Sequence, residues 1–541
     1  MSLDSIYPSQ EQLKLSMPEA NGKSPLIARA IALDEEYPVA AQVRARFPRG
    51  EVVAAAAHSL SRPCKEAFEA VKGAFERTND LLHGIHWGQN EKESSDHDYA
   101  FKLHLHVPAC QTLSELLGCN REDVNLGNGL SDDMIRLLET LVHPDIFGDR
   151  CKMMCLKFDF NSDLTIVRSF LLKNIVTALN SAASLVRNGG LTEKGSSKYS
   201  TLAKIFLDPS VDEQEQFDYI EKHFLVVVEP EASRLYSEDH MLDLIEKNKS
   251  SLAGALLPAV VFNTSQLIDI GRVNPKLVAN GIPAIWDFAH SIGNVKHTLV
   301  KDQVLAGAGC GYKHLSGLAG CPGVIFQNSA LLTEMAQKWP HMVPTPVSGW
   351  LSHGRTGAFD TFGVIDRFCV SIMHKRESVQ RMRAGNPDIL SLRVLIANLK
   401  VISDFGVPQI MTLKSALSKW LFECLDEAFK EEIKSGALVY ITPHAEEKRG
   451  ASICFSLANV SASKVEHALS RDEFDFGHKF EIDTRPGGDG PDTIRLTAHY
   501  AHMSFADTAA LALSLKHVYD KLREDGEPAA KRLRLEPQPK L

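Results

Sequence analysis

Trp286-Asp287-Phe288-Ala289-His290, followed a short way on by Gly311-Tyr312-Lys313-His314-Leu315, decides how the chain reads. The apolar run Pro283-Ala284-Ile285-Trp286 ends on an acid, and a run of small residues from Val304 to Cys310 leads to Tyr312-Lys313. Each reads as a short buried strand delivering a polar side chain at its carboxyl end, where open α/β sheets collect their ligands. The spacing leaves room for a connecting segment and a return strand. Alone, a strand-end Asp is as readily a helix cap, and a lone Lys is usually solvated. Taken in order, with Tyr312 adjacent and a glycine-rich exit from Ser316 to Gly323, the pair points to pyridoxal phosphate (PLP). That cofactor needs a lysine to bond its aldehyde and a carboxylate to keep its pyridine nitrogen protonated.

The bulk properties agree with a metabolic protein. The chain has 541 residues, enough for more than one domain, with net charge −9 and pI near 6.2. This balance argues against a general nucleic-acid partner. Met1 to Ser5 lacks the basic and apolar regions of a signal peptide, and no apolar run reads as long enough to span a bilayer. A soluble, cytoplasmic protein without a membrane partner is expected. The ten cysteines show no C-x-x-C pair, so buried reduced thiols are expected and no metal site. His83, His86 and His97 flank the polar run Gln89 to Asp96 and read as a solvated loop.

Alternating strand-like and helix-like runs predict an α/β fold with a mostly parallel sheet covered by helices. The strand-like runs are Lys152 to Phe158, Phe224 to Val228 and Leu256 to Phe262; the helix-like runs are Leu164 to Val186 and Met241 to Lys247. Residues 1–50 read as an N-terminal arm and 51–350 as a large domain. Residues 187–215, rich in Gly, Ser, Lys and Asp, read as an insertion. A smaller α+β C-terminal domain is expected over 351–523, from the helices Ile389 to Ser403 and Leu413 to Glu432 and the short strands that follow. The proline-rich tail, 524–541, is expected to be disordered.

The motifs carry a resemblance to kynureninases, fold-type I PLP enzymes. The family's D-x-A-H-x-x-G-N stands here as Asp287, Ala289, His290, Gly293 and Asn294, and its Y-K pair as Tyr312-Lys313. Asn128-Gly129-Leu130-Ser131 falls at the family's N-A-L-T, Phe160-Asn161-Ser162-Asp163 at F-P-S-D, and Gly349-Trp350 with His353 at G-W-x-x-H. Gly385-Asn386-Pro387 falls at S-N-P and Thr493-Ile494-Arg495 at G-I-R. The resemblance implies a fold-type I large domain and PLP-dependent hydrolysis of L-kynurenine or 3-hydroxykynurenine to anthranilate or 3-hydroxyanthranilate and L-alanine, in tryptophan catabolism. It implies that Lys313 links the cofactor and moves the α-proton, that Asp287 pairs with the ring nitrogen, and that His290 orients Asp287 or the ring. Tyr312 would hold the phosphate and relay a proton, and Leu130 and Ser131 would bind the phosphate. Phe160 would stack on the ring, with Asn161, Ser162 and Asp163 lining the pocket. Arg495 would grip the carboxylate of a small amino-acid substrate. Trp350 and Asn386 would reach the neighbouring subunit's cofactor or substrate, which implies a homodimer.

Four departures keep a β-lyase, transferase or non-catalytic reading open. Asn263 replaces a tyrosine, Pro258 a cofactor-binding serine and Gly385 a serine, and the family's N-terminal loop histidine has no match, Gln89 being the nearest candidate; Asn161, in place of a proline, loosens its turn. The basic run Lys531-Arg532-Leu533-Arg534 resembles a short signal for a nuclear-import receptor.

Overall fold

The computed structural model describes residues 24–80, 106–187, 190, 192–347, 378–382, 385, 388–485 and 492–524. The chain divides into two compact units. One comprises Met1–Ser59, Thr412–Pro443 and Ala451–Leu541, and the other comprises Leu60–Met411 and His444–Gly450. The boundaries therefore fall after residues 59 and 411 rather than after 50 and 350, the second inside the helix Val407–Ala428.

The strands in chain order are β1 (Val52–Ala54), β2 (Val124–Leu126), β3 (Lys152–Leu156), β4 (Leu225–Val228), β5 (Leu252–Pro258), β6 (Ala284–Asp287), β7 (Ala306–Gly309), β8 (Val324–Gln327), β9 (Leu438–Tyr440), β10 (Ser452–Leu457), β11 (Lys479–Glu481), β12 (Asp483–Arg485) and β13 (Thr493–Thr497). In the larger unit, seven strands form one sheet in the order β2-β8-β7-β6-β5-β3-β4. The block from β4 to β7 is parallel, and β8 runs against both its neighbours. The mostly parallel sheet is thus as expected. Every residue of β5, β6 and β7 is buried, as befits strands covered on both faces.

The composition of β7, Ala-Gly-Ala-Gly, has a packing cause. A Cβ on Gly307 would lie 2.4 Å from the Phe288 ring and 2.4 Å from the Trp286 carbonyl oxygen. Phe288 can fill that space only because β7 has no side chain there.

The long helix Asn161–Arg187 lays Ile166, Val167, Phe170, Leu171, Ile175 and Leu179 into the core at helical spacing. They meet Leu137, Leu138 and Leu141 of the helix Leu130–Leu141. By length and composition Asn161–Val186 is apolar enough to cross a membrane, which corrects the expectation that no run qualifies. Its apolar stripe belongs instead to this core. The supposed insertion is also part of the fold. Glu193–Phe206 and Glu213–Phe224 are helices, and their Leu202, Phe206, Ile220 and Phe224 join the same core.

The smaller unit holds an antiparallel sheet, β12-β13-β10-β9, and a parallel pair, β1-β11. The expected N-terminal arm is helical over Pro25–Glu36 and Pro38–Ala45, each opening on a proline whose fixed φ suits the first turn. Leu26, Ile27 and Ala30 are buried, and the first of these helices packs on Phe505–Glu524. Among the described residues nine cysteines are unpaired, eight of them buried. His83, His86, His97, Gln89 and residues 525–541 lie outside the described residues.

Candidate active site

Asp287 closes β6 and Lys313 follows β7, so adjacent parallel strands deliver both to one end of the sheet. The register sets Asp287 beside Pro258 on one side and Ala308 on the other. Asp287 Oδ1 accepts the Ala289 N–H at 2.7 Å, closing an Asx turn that starts the bend carrying His290. The bend continues through Gly293, whose φ of +69° lies in the left-handed region and whose Cβ would strike Leu315. Beyond β7 the chain folds tightly, with Gly317 N–H on the Gly311 carbonyl at 2.9 Å and Ser61 N–H on the Tyr312 carbonyl at 3.1 Å.

Lys313 is buried, and its Nζ lies 2.9 Å from His290 Nε2. His290 therefore contacts the lysine. The partner of Asp287 is Asp163, in the first turn of Asn161–Arg187, which shares a hydrogen bond with it. Burial pushes the Asp287 carboxyl up from the usual carboxylate value, opposed by Lys313 and the Ala289 N–H. Burial, then the charges of Asp287 and Asp159, push Asp163 well above that value. Burial likewise raises the Tyr312 phenol, whose hydroxyl is hydrogen-bonded to Cys310.

Phe160 stands beside the lysine, with Lys313 Nζ 5.8 Å from its ring centre. It packs edge-on against Phe262 at 5.3 Å yet remains 42% exposed. The helix Leu130–Leu141 opens on Gly129, which offers no side-chain cap. Ser131 Oγ lies 3.1 Å from Ser162 Oγ, two hydroxyls together at a helix N-terminus, where anions are favoured. Asp133 is turned inward and accepts the Asn128 N–H at 3.0 Å, and Asp132 is exposed. Asn263 Oδ1 is buried without a hydrogen-bond partner.

These groups suit PLP. A buried amine, a strand-end carboxylate, an uncovered phenyl face and a hydroxyl-bearing helix start answer its aldehyde, ring nitrogen, ring face and phosphate. Trp350 and Asn386 lie outside the described residues.

Arg495 belongs to the smaller unit, in β13 between β10 and β12. It is 1% exposed rather than on an open strand, and it donates to Asp483 and, at 3.2 Å, to Ser59 Oγ. Asp483 also accepts from Ser59 Oγ at 2.7 Å and binds His58 Nε2 at 3.1 Å. Burial alone would raise the Asp483 carboxyl. The His58 bond and the Arg495 charge outweigh that and hold it well below the usual range.

Sequence reasoning missed four of these residues, His58, Ser59, Asp159 and Asp483. His58-Ser59 ends a run of alanines, a pattern like the strand ends read correctly elsewhere. Asp159, an acid between Phe158 and Phe160, immediately precedes a quoted motif.

Among solved structures, the E. coli cysteine desulfurase CsdA matches with TM-score 0.58 and 15% identity, covering 90% of this chain and 98% of that one. The cysteine desulfurase of Thermococcus onnurineus matches with TM-score 0.59 and 14% identity, covering 89% and 98%. With its sheet and its strand-end lysine and aspartate, the chain has the fold of the fold-type I PLP-dependent enzymes. In sequence it is similar to kynureninases. It is 28% identical over 243 residues to kynureninase 2 of Neurospora crassa, covering 44% of this chain and 50% of that protein. To the kynureninase of Lodderomyces elongisporus it is 24% identical over 321 residues, covering 57% and 66%. The chain spans about half the length of the first curated relatives it matches. No family model matches it.

Proposed function

We propose that this protein is a PLP-dependent hydrolase cleaving L-kynurenine, 3-hydroxykynurenine or both, releasing anthranilate or 3-hydroxyanthranilate and L-alanine. The observation that carries the reading is the buried Lys313–His290 contact beside Asp287 at the ends of β6 and β7, in a chain whose relatives are kynureninases. When bound, PLP supplies an electron sink for breaking the substrate's carbon–carbon bond. Lys313 anchors the cofactor and moves the proton at the substrate α-carbon. His290 Nε2, within hydrogen-bond reach of Nζ, positions that amine. Asp287, anionic, keeps the ring nitrogen protonated; Phe160 covers the ring, and Ser131, Ser162 and Tyr312 hold the phosphate. Arg495 is the proposed anchor for the substrate α-carboxylate, since a guanidinium grips a carboxylate with two parallel bonds. Trp350 and Asn386 complete the partner's site in a cytoplasmic homodimer, and the basic segment 528–536 resembles a short import signal.

The test is purified protein incubated with PLP. Expected are a visible absorbance band that borohydride abolishes, a mass increment on the Lys313 peptide, and fluorescent anthranilate on adding kynurenine. Protein that takes up no PLP sinks the enzyme reading. Uptake with no anthranilate sinks the kynurenine reading alone. Sedimentation as an active monomer removes the dimer.

A further inference from the structure

Behind Asp287 lies a carboxyl for which the proposed reaction has no use. Asp159, in the link between β3 and the helix Asn161–Arg187, is 4% exposed. Its Oδ1 accepts the Phe160 N–H at 2.9 Å, and its Oδ2 is buried with no hydrogen-bond partner. Asp163 Oδ2 is in the same condition, while its side chain shares a hydrogen bond with Asp287. Two carboxyls share such a bond only when one of them carries the proton. Three acids are thus crowded into a buried space. Lys313 offsets Asp163 and Asp287, whereas the charge acting on Asp159 is that of Asp287, of the same sign. From β3 Cys155 faces Asp159, and so does Tyr236, whose hydroxyl accepts the Phe158 N–H at 3.2 Å. Neither brings a cation. Burial and then Asp287 push the Asp159 carboxyl up to about 8.

Such an arrangement is costly as three anions and comfortable once a cation enters. Resting on the PLP reading above, we propose that Asp159 is a proton reservoir for the cofactor site. It holds a proton while the site lacks the cationic ring, and it gives that proton up when a protonated pyridine ring settles against Asp287. Asp159 itself acts through Asp287, as a positioning residue for charge; it touches neither substrate nor reacting atoms.

The experiment has two arms. In the first, PLP binding is measured calorimetrically near pH 7 in buffers of different ionisation enthalpy, which counts protons exchanged. The wild type is expected to release up to about one proton more than Asp159→Asn, whose amide mimics the protonated acid. Equal proton counts overturn the proposal. In the second arm, apoprotein stability is followed with pH. A folded-state value raised above the unfolded value of about 3.9 means that the folded chain holds a proton the unfolded chain has lost. Stability from this group is therefore full at acid pH and declines as pH rises towards about 8. Asp159→Asn removes that decline, so its melting temperature should gain on the wild type from pH 5 to pH 8; parallel curves overturn the proposal. Asp159→Ala repeats the measurement should the amide fold poorly. Absence of PLP binding defeats the enzyme reading, while the apoprotein arm still decides the behaviour of Asp159.

Discussion

Lys313 and Arg495 are both buried cations, but each is held differently. Lys313 is satisfied by a histidine, His290, which leaves its amine available for chemistry. Lys313→Ala is expected to bind PLP without a borohydride-fixable link and to lose turnover by several orders of magnitude; a retained link at another lysine would show the assignment wrong. Arg495 donates to Asp483 and Ser59, and Asp483 is held besides by His58 and by Arg485 at 3.1 Å, so removing Arg495 takes a buried cation from a network that keeps two other partners for the anion. Arg495→Ala should destabilise the fold by less than the about 3–5 kcal/mol of a buried pair broken outright, because His58 and Arg485 still compensate Asp483. Chemical denaturation reads this directly. The sign with pH follows from Asp483, whose carboxyl is held below its unfolded value of about 3.9. Its stabilisation is present above that value and is lost as pH falls below it. Asp483→Asn should therefore be less stable than the wild type at pH 7 and converge with it in acid. A gap that stays constant down to pH 2 would remove the pair from the account.

Among the elements, β7 is the most constrained. Its alanines and glycines leave the space that the Phe288 ring fills, and the Asp287–His290 turn is built around that ring. Gly307→Ala should destabilise the fold by about 1–3 kcal/mol through overpacking and should weaken PLP retention, because the backbone carbonyl of Trp286 cannot step aside. Unchanged denaturation and an unchanged cofactor affinity would mean that β7 has slack. Leu171, fully buried on Asn161–Arg187, tests the core behind the same site. Leu171→Ala should cost about 2–5 kcal/mol, and a loss below 1 kcal/mol would place that helix outside the load of the core.

For the whole molecule, cofactor and stability are linked. A ligand that binds only the folded state stabilises it by about 2.7 kcal/mol at a hundredfold excess over its Kd. PLP should therefore raise the melting temperature of the wild type. Because Phe160 and the Ser131–Ser162 pair remain open without Lys313, Lys313→Ala should keep part of that gain. A full loss would assign all the binding energy to the covalent link.

The strand ends at Asp287 and Lys313, the parallel sheet and the helix Asn161–Arg187 were legible because hydrophobic period and strand-end polarity are local properties of a chain. So was Arg495 as a residue of interest, through its motif. Local patterns could not show what those side chains would meet. The helix Glu193–Phe206 read as part of an insertion because Leu202 and Phe206 are sparse in a polar background, and only a neighbouring core makes them an apolar face. The unit boundaries also escaped, since β1 and the Ala55–Ser59 run join the C-terminal strands through pairings distant in sequence. Sequence alone therefore determined which residues are the candidates for the chemistry. The tertiary structure decided their partners: His290 on Lys313, Asp163 on Asp287, Asp483 on Arg495, and an unpartnered Asp159 oxygen behind them. Charge and hydrogen bonding depend on distance through space, and distance along the chain does not report it.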